Sequence, residues 1–141
     1  YQNYLERNII EKKLLELDSK LTQKTKVAVI TGYGSQKYIL QTMVKQHSYK
    51  NLEIDVDTVD AFQGSQKDII LYSTVRSSAN KYGIGFLKSE ARINVAFSRA
   101  RCLLIIVGDM NFLDNYRIRG NKFPEIIKYI KESEGCRIIE E

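Results

Sequence analysis

The amino-acid sequence reads as an α/β domain, a mostly parallel β-sheet with helices on both faces. Three observations carry this expectation. Four short runs rich in β-branched residues, Val27–Thr31, Ile54–Val59, Ile69–Val75 and Cys102–Val107, have strand length and end near turn or capping residues. Stretches with apolar residues at helical spacing lie between them. The run Leu103-Leu104-Ile105-Ile106-Val107 does not alternate with polar residues, which predicts a strand covered on both faces, as in a parallel sheet held between helix layers.

Taken in order, the first element is a helix over Asn8–Leu17, with Ile10, Leu14 and Leu17 on one stripe. The first strand follows, then a helix over Ser35–His47 whose Ile39, Leu40, Met43 and Val44 repeat at three and four residues. A polar turn joins the second and third strands. Beyond the third, Ser77–Gly85 is a polar, glycine-bearing loop long enough to be functional. A helix over Ser89–Ala100 leads into the fourth strand, and Asp109 is placed to cap a helix that starts at Met110. Pro124 opens the last helix through Ile126, Ile127 and Ile130, after which Gly135 releases the chain into Cys136–Ile139, a candidate edge strand. Alternation of helix and strand with short connections is the mark of crossover units, so the layers are doubly wound, RecA-like or Rossmann-like. Periodicity does not choose between those two.

The length of 141 residues fits one domain over 1–141, and a chain of this size buries about 68–70% of its unfolded surface. With 43% hydrophobic and 28% charged residues the composition is that of an ordinary folded domain. No apolar run reaches the roughly 18–20 residues that span a bilayer, so no membrane partner is expected. Cys102 and Cys136 are too few for a disulfide framework or zinc site, which makes a reducing compartment, cytoplasmic or nuclear, the expectation. His47 lacks Cys or His neighbours at ligand spacing and is read as a solvated helix residue; no metal site is expected within the chain. The net charge of +5 suits a phosphate-bearing partner and equally suits a solvated surface.

Two segments could carry chemistry. In Thr58-Val59-Asp60-Ala61-Phe62-Gln63-Gly64-Ser65-Gln66-Lys67-Asp68, a strand runs into an Asp and a Gln-Gly turn. Ligands of open α/β sheets gather outside the carboxyl ends of strands, so this turn can adjoin a phosphate or ribose. Equally, Asp60 can cap a short helix with Gln63 completing a capping box. In Arg92-Ile93-Asn94-Val95-Ala96-Phe97-Ser98-Arg99-Ala100-Arg101, Arg92, Ala96 and Arg99 share one helical face. Guanidiniums placed just before a buried strand point to an anion, through planar forks that pair with phosphate, or to a salt bridge with acids of the sheet. A third segment, Leu103–Asp109, imitates a magnesium-binding strand. A phosphate-cradling loop, however, needs Gly-x-x-x-x-Gly-Lys-Ser/Thr, and the chain has no Gly-Lys dipeptide. Nucleotide hydrolysis therefore needs a partner.

Read together and in order, these segments resemble motifs IV, V and VI of superfamily 1B DNA and RNA helicases of the RNA-surveillance group. Val29-Ile30-Thr31-Gly32-Tyr33-Gly34-Ser35-Gln36 is similar to motif IV, Val59-Asp60-Ala61-Phe62-Gln63-Gly64 to motif V, and Gly83-Ile84-Gly85-Phe86-Leu87 with Arg92–Ala100 to motif VI. Asn8-Ile9-Ile10-Glu11 stands for the group's Asn-x-x-Glu opening.

The resemblance implies the C-terminal, RecA-like P-loop NTPase fold, part of a longer chain and inactive alone. It implies ATP and Mg²⁺ as cofactors, both bound mainly by an N-terminal RecA-like domain of the same polypeptide, and single-stranded DNA or RNA as partner. Arg99 is the matching arginine finger. Gln63, Gly64, Gln66, Arg92 and Gln36 are the implied ATP-binding residues; Thr58, Thr31 and Tyr33 are the implied nucleic-acid contacts. An arginine serving a triphosphate in a neighbouring lobe is expected on the rim of the sheet, with the tips of the strands. The sequence departs from the group at Gln66, where motif V usually has an acid, and at Ile9, where some members have an arginine. These departures motivate an alternative, a degenerate RecA-like nucleic-acid-binding or protein-docking module without turnover.

Overall fold

A computed structural model describes residues 2–62, 65–76 and 90–140, with only the backbone of 90–92. The elements run α1 (Tyr4–Lys20), β1 (Thr25–Thr31), α2 (Gly34–Lys45), β2 (Leu52–Thr58), a 3₁₀ turn (Val59–Phe62), β3 (Lys67–Ser73), α3 (Glu90–Ser98), β4 (Ala100–Val107), α4 (Met110–Leu113) and α5 (Phe123–Glu132). All four expected strands and every expected helix are present. The expected loop Ser77–Gly85 lies outside the described residues.

The strands form one parallel sheet in the order β2-β1-β3-β4, with Thr31 level with both Thr58 and Ser73. Period-two alternation divides the core into two layers. Val27, Val29, Ile69 and Leu71 face α1 and α2, packing on Ile10, Leu14, Leu40 and Met43. Ala28, Ile30, Ile70 and Tyr72 face the other way, onto Val59, Phe62, Ile93, Ala96, Phe112, Phe123 and Ile127. Burying a Leu or Ile in either layer contributes about 1.5–3 kcal/mol, which makes the central pair β1 and β3 the backbone of stability.

Helix α1 starts four residues before the expected Asn8 because Asn3 caps it, its side chain accepting from the Glu6 N–H at 3.0 Å. Asp109 caps α4, accepting from Phe112 N at 3.3 Å. Pro124 sits in the first turn of α5, and Gly135 takes φ +79° just past its end. Three expectations change. Cys136–Ile139 is irregular rather than a strand. β4 lies at the end of the described sheet, so its first half is open: Leu103 is 41% exposed, and burial on both faces begins only at Leu104 and Ile105. His47 lies past the end of α2 and pairs with Glu11, Nε2 to Oε2 at 2.9 Å, rather than standing in solvent.

Gly108, where β4 ends, is required by close approach. A Cβ there would lie 2.5 Å from Thr74 Oγ1 and 2.6 Å from Leu113 Cδ1. Thr74 is fully buried and sits within hydrogen-bond reach of Glu6 and of the Val107 carbonyl, so it has little room to withdraw. Gly108→Ala is expected to destabilise the domain by about 1–3 kcal/mol in denaturant unfolding.

Candidate nucleotide and nucleic-acid surfaces

Strand β1 is followed by α2 on one face and β3 by α3 on the other, so the winding reverses between two neighbouring strands. Open α/β sheets have their crevice there, outside the carboxyl ends. In this chain the first turn of α1 fills it. Glu6, 3% exposed, accepts from Ser73 Oγ at 2.5 Å and from Val75 N at 2.9 and 3.1 Å, and its Oε1 lies 3.0 Å from Thr74 Oγ1. Asn3 donates from Nδ2 to the Val75 carbonyl at 3.0 Å and from its backbone N–H to Gln36 Oε1 at 2.7 Å. Gln36, fully buried, donates from Nε2 to the Asn3 carbonyl at 3.0 Å and to Ser73 Oγ at 3.2 Å. Burial pushes the Glu6 carboxyl up to about 7, against the pull of the bonds from Ser73, Val75 and Thr74, with Asp109 adding to the rise.

These bonds hold Val75 at φ 68°, a left-handed conformation that costs a β-branched residue about 1–3 kcal/mol. Its neighbour Arg76, 6% exposed, donates from Nε to Tyr33 Oη at 2.8 Å, with its guanidinium carbon 5.6 Å from the ring centroid, beyond the hydroxyl end of the ring. Tyr33 follows the end of β1 and remains half-buried; Thr58, also half-buried, ends β2 at the same rim. Thr31, expected as a nucleic-acid contact, is fully buried, and its hydroxyl faces the Tyr33 N–H at 3.4 Å, where it supports the turn.

The opposite rim carries Arg99 and Arg101. After Thr58 the chain descends across the sheet through Val59 and Phe62, both buried, and reaches the amino end of β3 at Lys67. The expected site residues Gln63 and Gly64 lie outside the described residues. Arg99 stands beside it: its carbonyl accepts from Lys67 N at 2.9 Å and its Nη1 donates to the Ser65 carbonyl at 3.4 Å. Nε and Nη2 donate to Ser98 Oγ at 3.3 and 3.1 Å. Gln66 is exposed and accepts from Arg101 Nε at 3.4 Å. Among the described residues Arg99 makes no ion pair, so the salt-bridge reading of this guanidinium finds no carboxylate. Arg92 is in the first turn of α3, its side chain outside the described residues.

The expectation that Arg99 stands with the strand tips is corrected. A crossover helix between parallel strands runs against them, so α3 delivers its last residue to the amino end of β4. The expected ATP-binding set is likewise divided. Gln66 lies by Arg99, whereas Gln36 is at the carboxyl rim, roughly 20 Å away along a strand rising about 3.3 Å per residue. The sequence reading missed Asn3, Glu6, Val75 and Arg76. The Asn-x-x-Glu spacing read at Asn8–Glu11 recurs at Asn3–Glu6, and only the earlier pair enters the crevice; Asn8 is exposed, and Glu11 pairs with Arg7 and His47. Among the described residues no group of three or more His, Cys, Asp or Glu could hold a metal, and no helix is long and apolar enough to cross a membrane.

Four parallel strands between two helix layers, with a crevice at the reversal of winding, define a doubly wound α/β domain. A family model described as an AAA domain matches residues 1–111, and the chain belongs to that family, as a superfamily 1 helicase C-terminal RecA-like domain. It is 47% identical over 98 residues to helicase sen1 of Schizosaccharomyces pombe, covering 68% of this chain and 6% of that protein. Over 124 residues it is 39% identical to the regulator of nonsense transcripts 1 homolog of Neurospora crassa, covering 84% of this chain and 11% of the relative. Against the DNA polymerase alpha-associated DNA helicase A of Saccharomyces cerevisiae the identity is 36% over 115 residues, 82% of this chain and 16% of the relative. The chain thus spans a small fraction of the length of these relatives.

Proposed function

We propose that this chain is the second motor domain of an ATP-dependent DNA or RNA helicase. It supplies Arg99 as an arginine finger and its carboxyl rim as part of a single-strand track. ATP and Mg²⁺ are held mainly by the N-terminal RecA-like domain of the same polypeptide. The observation that carries this reading is the amino rim, where the Arg99 guanidinium meets only neutral oxygens, of Ser98 and Ser65, among the described residues. Such a fork can turn to a phosphate without breaking an ion pair, and its planar donors match phosphate oxygens. The two rims divide the labour. The amino rim, with Arg99 and Gln66, faces the nucleotide in the neighbouring lobe; the carboxyl rim, with Tyr33 and Thr58, faces the strand. Closure of the lobes on ATP brings the guanidinium to the γ-phosphate, where it stabilises charge as the phosphoryl group transfers. Reopening after hydrolysis shifts one lobe's grip on the strand against the other's.

The chain by itself is expected to hydrolyse no ATP. Joined to its N-terminal RecA-like domain it is expected to turn over ATP faster when single-stranded DNA or RNA is added, read by phosphate release. Turnover by the chain alone, or a joined protein indifferent to single strands, removes the proposal.

A further inference from the structure

The contacts at the reversal of winding form a series: Glu6 and Asn3 fix Val75, Val75 aims Arg76, and Arg76 grips Tyr33 by its hydroxyl. We infer that this series presets Tyr33 as a stacking face for one base of a bound single strand, with Arg76 and Glu6 as positioning residues. The inference rests on the proposed single-strand track and adds what orients it.

The physical case begins with Val75. Its left-handed backbone is held from both sides, with its N–H donating to the two Glu6 oxygens and its carbonyl accepting from Asn3 Nδ2. A conformation so disfavoured persists only where its surroundings overdetermine it, and such positions gather at binding sites. Its effect here is directional. The left-handed turn after β3 sends Arg76 across the crevice to Tyr33, the residue just before α2, instead of onward along the strand axis. Arg76 is itself buried, so its role is to hold. The ring it holds is half-buried at the mouth of the crevice, flanked by the carboxyl ends of β1 and β3. A tyrosine fixed at its hydroxyl by a buried guanidinium loses little freedom on meeting a planar partner, and a nucleobase supplies one whatever its sequence.

The test measures binding of the chain to a short labelled oligothymidylate and to oligouridylate, at fixed salt, alongside thermal unfolding of each variant. Tyr33→Ala is expected to weaken binding roughly 5- to 150-fold. Tyr33→Phe, which keeps the ring and removes the hydroxyl Arg76 holds, is expected to weaken it about two- to tenfold, as are Arg76→Lys and Glu6→Gln. Because these three break one series, Tyr33→Phe combined with Arg76→Lys is expected to bind no more weakly than either alone. A purely structural role predicts losses that follow the melting temperature and multiply when combined. Tyr33→Phe is the mildest change and keeps the test decisive should Glu6→Gln fail to fold. Binding by the unaltered chain that is insensitive to Tyr33→Phe, or losses that multiply, overturns this inference alone. No binding by the unaltered chain overturns the single-strand track along with it.

Discussion

Arg99→Ala, made in the protein that also carries the P-loop domain, is expected to lower ATP turnover by about 10³-fold or more, while ATP affinity changes much less. The expectation follows from where charge develops. A guanidinium aimed at the transferring phosphoryl group is worth about 10³–10⁵ in rate, roughly 4–7 kcal/mol of barrier. The ground-state triphosphate, already neutralised by its own lobe, gains less from it. Folding gives the control. Arg99 is partly exposed and its side-chain bonds run to a hydroxyl and a carbonyl at 3.1–3.4 Å, so removing it is expected to change stability by under about 1 kcal/mol. A large loss of turnover with an unchanged melting temperature separates a transition-state role from a structural one. Turnover within a fewfold of the unaltered protein would falsify the arginine-finger assignment.

Glu6 is expected to make the domain's stability fall as pH rises, the reverse of the usual carboxylate. In the unfolded chain its carboxyl titrates at 4.5, whereas burial moves it to about 7 in the fold. Below 4.5 the carboxyl is neutral in both states and its burial carries no charge penalty. As pH climbs from there through 7, the unfolded chain gives up its proton first, and the folded state loses about 3 kcal/mol relative to it. Denaturant midpoints taken from about pH 5 to about pH 8 are expected to drop by that order of free energy, and Glu6→Gln is expected to flatten the profile. Glu6→Ala is expected to cost about 2–4 kcal/mol near neutral pH, because Val75 N–H and the Ser73 and Thr74 hydroxyls lose a buried acceptor. A profile that is flat in the unaltered chain, or equally steep in Glu6→Gln, removes Glu6 as the source.

Much of the fold was legible beforehand because its signals are local. β-branched runs with caps between them found all four strands, and Asp109 and Pro124 marked their helices by the chemistry of a single turn. Burial of β4 was overestimated for a non-local reason. An apolar run reports what a strand can bury, and whether a neighbour exists on its far side depends on sheet order. Asn3 and Glu6 were passed over because the apolar stripe set the helix start at Asn8 and the Asn-x-x-Glu spacing was placed at Asn8–Glu11; that Glu6 receives Ser73 and Val75, from a strand far along the chain, has no local trace.

What the sequence by itself determined is the set of parts: the alternating layers, the order of the motifs, and the lack of a Gly-Lys loop. What only the tertiary structure decided is the sorting of candidate site residues between two rims, Arg99 and Gln66 on one, Gln36, Tyr33 and Thr58 on the other. The reason is geometric. Hydrophobic periodicity records which face of an element is buried, but which end of the sheet a residue reaches is set by the direction of each crossover and by strand register. Both are fixed by pairing between segments distant in the chain.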